Sequence, residues 1–193
     1  ILEMSNRPYK VIVIGNTNTG KTSIIHQYTR GNFPEAHFTT PLPIEHSKSV
    51  NNVNLDIWDT AGAEEWQSMN SSVYHGSDAV IYLCSYDEQQ SLNDLKDVWF
   101  QMVAKYLSPD VPSILAVNKS DLPDDQRLIE ENGIESIRKE INAFKTIYVS
   151  AKENINVNEL FKEIAEKLSN SKQKEVPKPV IIDKPGTKTK DES

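Results

Sequence analysis

Short apolar runs alternate with amphipathic stretches along this chain, and that alternation predicts an α/β fold. Tyr9-Lys10-Val11-Ile12-Val13-Ile14 is rich in β-branched residues and ends at Gly15, as a buried strand entering a loop does. Thr22 to Arg30 reads as a helix, with Gly31 as its C-terminal stop. Residues 32–43 are polar and carry Pro34, Pro41 and Pro43, which excludes a regular element. Ile44 to Val50 and Val53 to Trp58 alternate weakly on either side of Asn51-Asn52, the pattern of an antiparallel hairpin. Ala79 to Cys84 and Ser113 to Val117 are uninterrupted apolar runs, typical of central parallel strands. Between them Leu92, Leu95, Trp99, Val103 and Leu107 recur at helical spacing on one face. Ile134 to Ile141 predicts a further helix, and Thr146 to Val149 a last short strand. Val157, Leu160, Phe161, Ile164 and Leu168 mark a final amphipathic helix. Strands alternating with helices predict βαβ crossovers in a doubly wound, six-stranded, mostly parallel sheet. One strand is antiparallel, and about five helices cover the sheet.

Composition narrows the class. A chain of 193 residues with 37% hydrophobic and 25% charged residues fits a globular protein able to bury its own core. The single cysteine, Cys84, lies in an apolar strand and reads as a buried thiol; it excludes an internal disulfide and a Cys-rich zinc site. The four histidines show no ligand spacing. A net charge of −7 argues against a nucleic-acid partner. No apolar run approaches the length of a membrane span, and no signal peptide is visible. A reducing cytoplasm is the expected location. Ile1-Leu2-Glu3 before Met4 reads as a cloning remnant, so residues 1–7 form an N-terminal arm and residues 8–169 the body. Residues 170–193 are a lysine- and proline-rich tail or linker, whose one apolar cluster, Val180-Ile181-Ile182, is expected to dock on the body or on a neighbour.

Four loop sequences carry candidate chemistry. Gly15-Asn16-Thr17-Asn18-Thr19-Gly20-Lys21-Thr22 matches G-x-x-x-x-G-K-[ST] between a predicted strand and a predicted helix. Its glycines let the backbone curl so that successive N–H groups face an anion, and the helix start adds partial positive charge. Asn18, Thr19, Gly20, Lys21, Thr22 and Ser23 are the candidate phosphate binders, with Lys21 on the β- and γ-phosphates and the Thr22 hydroxyl on Mg²⁺. Asp59-Thr60-Ala61-Gly62 ends a strand; Asp59 suits the Mg²⁺ shell through a water, and Gly62 suits an N–H to a γ-phosphate. Asn118-Lys119-Ser120-Asp121 ends the next apolar run. The Asp121 carboxylate can accept both N–H groups of a guanine edge, which adenine does not offer. Lys119 can lie along the base, and Ser150-Ala151-Lys152 can bring a backbone N–H to the guanine oxygen. All four loops fall at C-terminal strand ends, where open α/β sheets bind ligands.

Taken in order, GNTNTGKT, WDTAG, NKSD and SAK resemble a small GTPase of the Ras superfamily, with the P-loop NTPase G-domain fold, over residues 8–169. Asn54 to Gly62, Tyr74-His75-Gly76-Ser77, and Asp87 with Ser91-Leu92 and Trp99 are similar to the Rab branch. The resemblance implies GTP or GDP with Mg²⁺ as cofactors, and effector, exchange-factor and GTPase-activating proteins as partners through the switch regions. It implies the cytosolic face of endomembranes as a location. It also implies Phe33 edge-on to guanine, and Thr40 (with Thr39 as the adjacent alternative) as the switch I ligand of Mg²⁺ and γ-phosphate. The chain departs from the family at three places. Ala63 stands where the family has a water-positioning glutamine, and Ala63 can neither donate nor accept, so slow intrinsic hydrolysis is expected. Thr40-Pro41-Leu42-Pro43-Ile44 lacks the usual effector-binding aromatic and is stiffened by prolines. Asp191-Glu192-Ser193 offers no cysteine for prenylation, so no direct membrane anchor is expected within this chain, whether it is cut short of one, is not lipid-anchored, or leads on to another domain. A guanine-nucleotide switch is the leading expectation. A nucleotide-holding scaffold that never cycles, or one G domain of a longer GTPase, is the alternative.

Overall fold

The computed structural model describes residues 7–34, 43–60 and 71–175. Thr40, Gly62 and Ala63 lie outside the described residues, as does Val180-Ile181-Ile182.

Six strands, β1 (Tyr9–Ile14), β2 (Ile44–Val50), β3 (Val53–Asp59), β4 (Ala79–Ser85), β5 (Ser113–Asn118) and β6 (Thr146–Tyr148), form one sheet. Their order is β2-β3-β1-β4-β5-β6, and only the β2–β3 pair is antiparallel. The predicted hairpin forms because Asn51 (φ 49°) and Asn52 (φ 62°) both take the left-handed conformation that a two-residue turn needs, which asparagine tolerates. The central strands are buried on both faces, and their alternation divides the core. Val11, Val13, Ile81, Leu83, Ile114 and Ala116 join the cluster under α1 (Lys21–Arg30) and α5 (Val157–Glu175). Ile12, Ile14, Tyr82, Cys84, Leu115 and Val117 face the other way, toward Leu92, Leu95, Trp99 and Ile134. Each fully buried aliphatic side chain contributes about 1.5–3 kcal/mol. Cys84 is fully buried, and burial pushes its thiol pKa up, as its apolar strand implied.

The stripe from Leu92 to Val103 forms one continuous helical run. It comprises α2 (Gln89–Asp94), a π-helical segment at Leu95–Phe100, and α3 (Gln101–Tyr106). With α1, α4 (Glu131–Glu140) and α5, the described residues hold four long helical stretches. α5 runs past Leu168, the last position of its apolar stripe. Residues 169–175 contain no proline and no glycine, so α5 runs on to Glu175. Because β1 lies between β3 and β4, the chain leaves it at the point where strand order reverses, the usual crevice for a ligand in such a sheet.

Candidate functional site

The loop after β1 is shaped by its neighbours. An ideal Cβ on Gly15 (φ +152°) would stand 2.1 Å from the Leu83 carbonyl oxygen, so only glycine passes there. Gly20 (φ +95°) would place a Cβ 2.2 Å from Asn118 Nδ2, so the loop closes directly on the end of β5. Asn18 takes φ 63° at the exposed tip. Gly20 caps α1 without a side-chain cap hydrogen bond, and no acidic residue lies in the first turn. A helix start of that kind suits an anion. Thr19 donates to the Asn16 carbonyl (2.8 Å), and Ser23 is buried in the first turn of α1. Thr22 is half-buried in the first turn.

Lys21 is only 6% exposed, and its ammonium donates to the carbonyl oxygens of Gly15 (2.9 Å) and Asn16 (2.8 Å). Burial lowers its pKa to about 8, against an opposing pull from the Asp59 carboxylate. Asp59 ends β3 fully buried, opposite Val13 on one side and Ile44 on the other. Thr60 donates to the Val13 carbonyl (2.7 Å) and holds the end of β3 against β1. The structure thus gathers Lys21, Thr22 and Asp59 at one end of the sheet.

The loops after β5 and β6 are tied to the loop after β1 through one side chain. Asn118 Nδ2 donates to the Thr19 carbonyl (2.8 Å), and Asn118 Oδ1 accepts from the Ala151 N–H (3.2 Å). Of the backbone N–H groups in Ser150-Ala151-Lys152, that of Ala151 is therefore engaged within the protein. Ser150 pairs with Ile155 through both backbone groups and accepts the Glu153 N–H, closing its own loop. Lys152 is exposed, with Glu153 at 3.7 Å. Lys119 adopts φ 61° and reaches Asp87 at 2.7 Å. Burial would raise the Asp87 carboxyl, but hydrogen bonds from Lys119 and Ser85 outweigh it and hold it below its ordinary value. Phe33, placed by resemblance at the guanine edge, is half-buried against the α1–α5 core. Asp121 is half-exposed at the mouth of this loop.

One clamp had no signal in the sequence pattern. Arg127 donates to the carbonyls of Ser120 (2.8 Å) and Leu122 (2.8 Å), on both sides of Asp121. Its guanidinium also lies 4.8 Å from the Tyr86 ring centroid. Arg127→Ala is expected to speed GDP release about three- to tenfold, since each lost hydrogen bond is worth about 1 kcal/mol or more. Dissociation of a fluorescent GDP analogue checks this; an unchanged rate would show that the loop holds Asp121 without the clamp.

The Ras family model matches residues 10–170. The chain belongs to the Ras family of small GTPases. Its relatives span more than one branch of that family. It is 33% identical to human Ras-related protein Rab-12 over 156 residues, which is 79% of this chain and 63% of that protein. It is 32% identical to Ras-related protein Rab5 of Nicotiana tabacum over 186 residues, 94% of this chain and 92% of that one. It is also 30% identical to the Ras-like GTP-binding protein RhoL of Drosophila melanogaster, over 82% of this chain and 86% of RhoL. The chain therefore spans just under two-thirds of Rab-12 but most of the other two. Asp59 and Asn118 end β3 and β5, and Lys21 opens the helix that follows β1.

Proposed function

We propose that this protein is a guanine-nucleotide switch of Rab type that retains GTP or GDP with Mg²⁺ and hydrolyses GTP slowly. The observation that carries this reading is the bridge from Thr19 through Asn118 to Ala151. It sets the phosphate loop and the loop presenting Asp121 at a fixed separation, as recognition of a base and its phosphates by one protein requires. The Rab branch is favoured over the Rho branch by Asn54 to Gly62, by Tyr74 to Ser77, and by Trp99.

The donor set suits Mg²⁺. Hard oxygen ligands are needed, few of them from protein, and here the Thr22 hydroxyl and the buried Asp59 carboxylate stand at the end of the phosphate loop. Thr22 would hold the ion directly, Asp59 through a water, and Thr40 would join from switch I. When bound, the ion neutralises charge on the β- and γ-phosphate oxygens. Lys21 would bind the same oxygens, the first-turn N–H groups of α1 would orient them, and Gly62, outside the described residues, would donate its N–H to the γ-phosphate. Regulators and effectors engage the switch segments around Thr40 and Gly62. Among the described residues no helix is long and apolar enough to cross a membrane.

Hydrolysis needs a water held in line with the γ-phosphorus, and Ala63 has no group to hold it. Intrinsic turnover is expected at or below the roughly 10⁻⁴ per second of a slow unassisted small GTPase. Ala63→Gln is expected to raise single-turnover hydrolysis at least several-fold, on the order of 1 kcal/mol or more in the barrier, with little change in nucleotide affinity. An unchanged rate would move the defect to the proline-stiffened segment at Pro41 and Pro43. Bound GTP that never turns over, even with activator and with Ala63→Gln, would favour a non-cycling scaffold.

A further inference from the structure

Asn16 is the first variable residue of the phosphate loop, and its side chain is engaged at both ends. Asn16 Oδ1 accepts from Trp99 Nε1 (2.8 Å), and Asn16 Nδ2 donates to Asp94 Oδ2 (2.6 Å). Its backbone carbonyl meanwhile accepts from Lys21 Nζ and from the Thr19 hydroxyl, both at 2.8 Å. One residue therefore joins the phosphate-binding lysine to the far helix. We infer that Asn16 is a positioning residue, and that the helix from Gln89 to Tyr106 controls how tightly the phosphate loop keeps its nucleotide. This rests on the nucleotide-binding reading above and adds a control element to that site.

The helix is built for this contact. Residues five apart on an α-helix point about 140° away from one another around its axis, so Asp94 and Trp99 would leave on different sides. A π-helical turn, with its i→i+5 winding, returns a five-residue step to nearly the same face. The segment Leu95–Phe100 is π-helical, and it brings Asp94 and Trp99 together on the two ends of the Asn16 amide. Trp99 is fully buried, and Asn16 is 7% exposed. A buried indole N–H that loses its acceptor carries the full cost of desolvation, so the contact resists displacement. Asp94 is held in turn by Gln90, one turn back, which donates to Oδ1 at 2.7 Å.

The consequence falls on Lys21. Its ammonium rests on the Gly15 and Asn16 carbonyls, and it must trade such oxygens for phosphate oxygens when nucleotide binds. The loop has to keep its curl through that exchange. With the Asn16 side chain anchored outside the loop, the carbonyl direction survives; without it, the loop can rotate and the N–H groups lose the phosphates. Repacking around the π segment would be felt at the phosphates through the same amide.

The test measures release of fluorescent GDP and GTP analogues from the full chain, with inosine diphosphate as a base-side control. Asn16→Ala is expected to speed release of both guanine nucleotides about tenfold, and Trp99→Phe about three- to tenfold, as loss of one or two buried hydrogen bonds implies. The double variant should release no faster than Asn16→Ala alone, because the two groups act as one contact. Asp94→Asn, which keeps an acceptor for the Asn16 amide, should stay within about twofold of wild type. The preference for GDP over inosine diphosphate should not change in any variant, because the base loop is untouched. Should Asn16→Ala fail to fold, Trp99→Phe retains the ring and decides the matter. Release at the wild-type rate in the Asn16 and Trp99 variants would overturn this inference alone. So would a changed base preference, which would point to general loosening. A wild-type chain that retains no guanine nucleotide would overturn it together with the proposed function.

Discussion

Asp121→Asn is expected to lower GTP affinity about a hundredfold or more and to make xanthosine triphosphate the better ligand. A carboxylate presents two acceptors side by side, and guanine offers two donors, N1–H and the exocyclic amine. Asparagine presents one acceptor and one donor, so one guanine N–H meets another N–H. Xanthine keeps N1–H but carries a carbonyl in place of the amine, and the asparagine edge then matches it. Sites that hydrogen-bond a ligand edge reject a mismatched one by several orders of magnitude when buried. Asp121 is half-exposed, which sets the smaller figure. Arg127 and Asn118 hold the loop from behind, so the substitution should alter recognition with little change in folding. Competition of GTP and of xanthosine triphosphate against a fluorescent GDP analogue, in wild type and variant, measures the effect. An unchanged GTP affinity would mean that Asp121 does not face the base.

Removal of the Lys21 ammonium is expected to have a comparable effect by a different route. Hydrogen bonds to a charged group contribute about 1.5–3 kcal/mol each, so losing two phosphate contacts in Lys21→Ala should weaken GDP about a hundredfold or more. A pH dependence accompanies this. Burial holds the lysine near pKa 8, well below an ordinary lysine. Phosphate recognition needs the protonated form, and bound phosphates favour it. Nucleotide affinity is therefore flat below pH 8 and declines as pH rises from 8 toward 10, where the free protein has lost the proton. Stability of the nucleotide-free chain moves in the opposite direction. Between about 8 and the ordinary lysine pKa of 10.5 the unfolded chain binds the extra proton, so folding gains as pH rises through that window. Titrating GDP affinity from pH 7 to pH 10 in wild type and in Lys21→Arg checks the assignment, since the arginine curve should stay flat.

The sheet was legible because its signals are local. The apolar runs at Val11 to Ile14, Ala79 to Cys84 and Ser113 to Val117 lie in central strands, and Asn51-Asn52 forms the turn that asparagine pairs favour. The tight loop after β1 was legible because Gly15 and Gly20 are required by approaches of about 2 Å that leave no room for a Cβ. The π-helical turn was not legible. Leu92, Leu95 and Trp99 satisfy helical spacing whether or not one turn is wider, and only the pairing of Asp94 and Trp99 on Asn16 distinguishes the two. Arg127 was missed for a similar reason: its partners are backbone carbonyls, which leave no mark on side-chain patterns. Asn118 was expected at the base, yet its amide also ties three loops together. The extension of α5 to Glu175 was obscured by composition, because lysine-rich segments read as linkers although lysine, glutamine and glutamate form helices well.

The most direct measurement is the identity and exchange of the nucleotide held by the purified full chain. The protein is denatured, the released nucleotide is identified chromatographically, and the reloaded chain is challenged with excess ATP or GTP, with and without Mg²⁺. Near-stoichiometric GDP or GTP is predicted, displaced by GTP but not by a thousandfold excess of ATP, on the order of 4 kcal/mol of discrimination, and released faster when Mg²⁺ is chelated. Equal displacement by ATP, or no bound guanine nucleotide under any loading condition, would contradict the account.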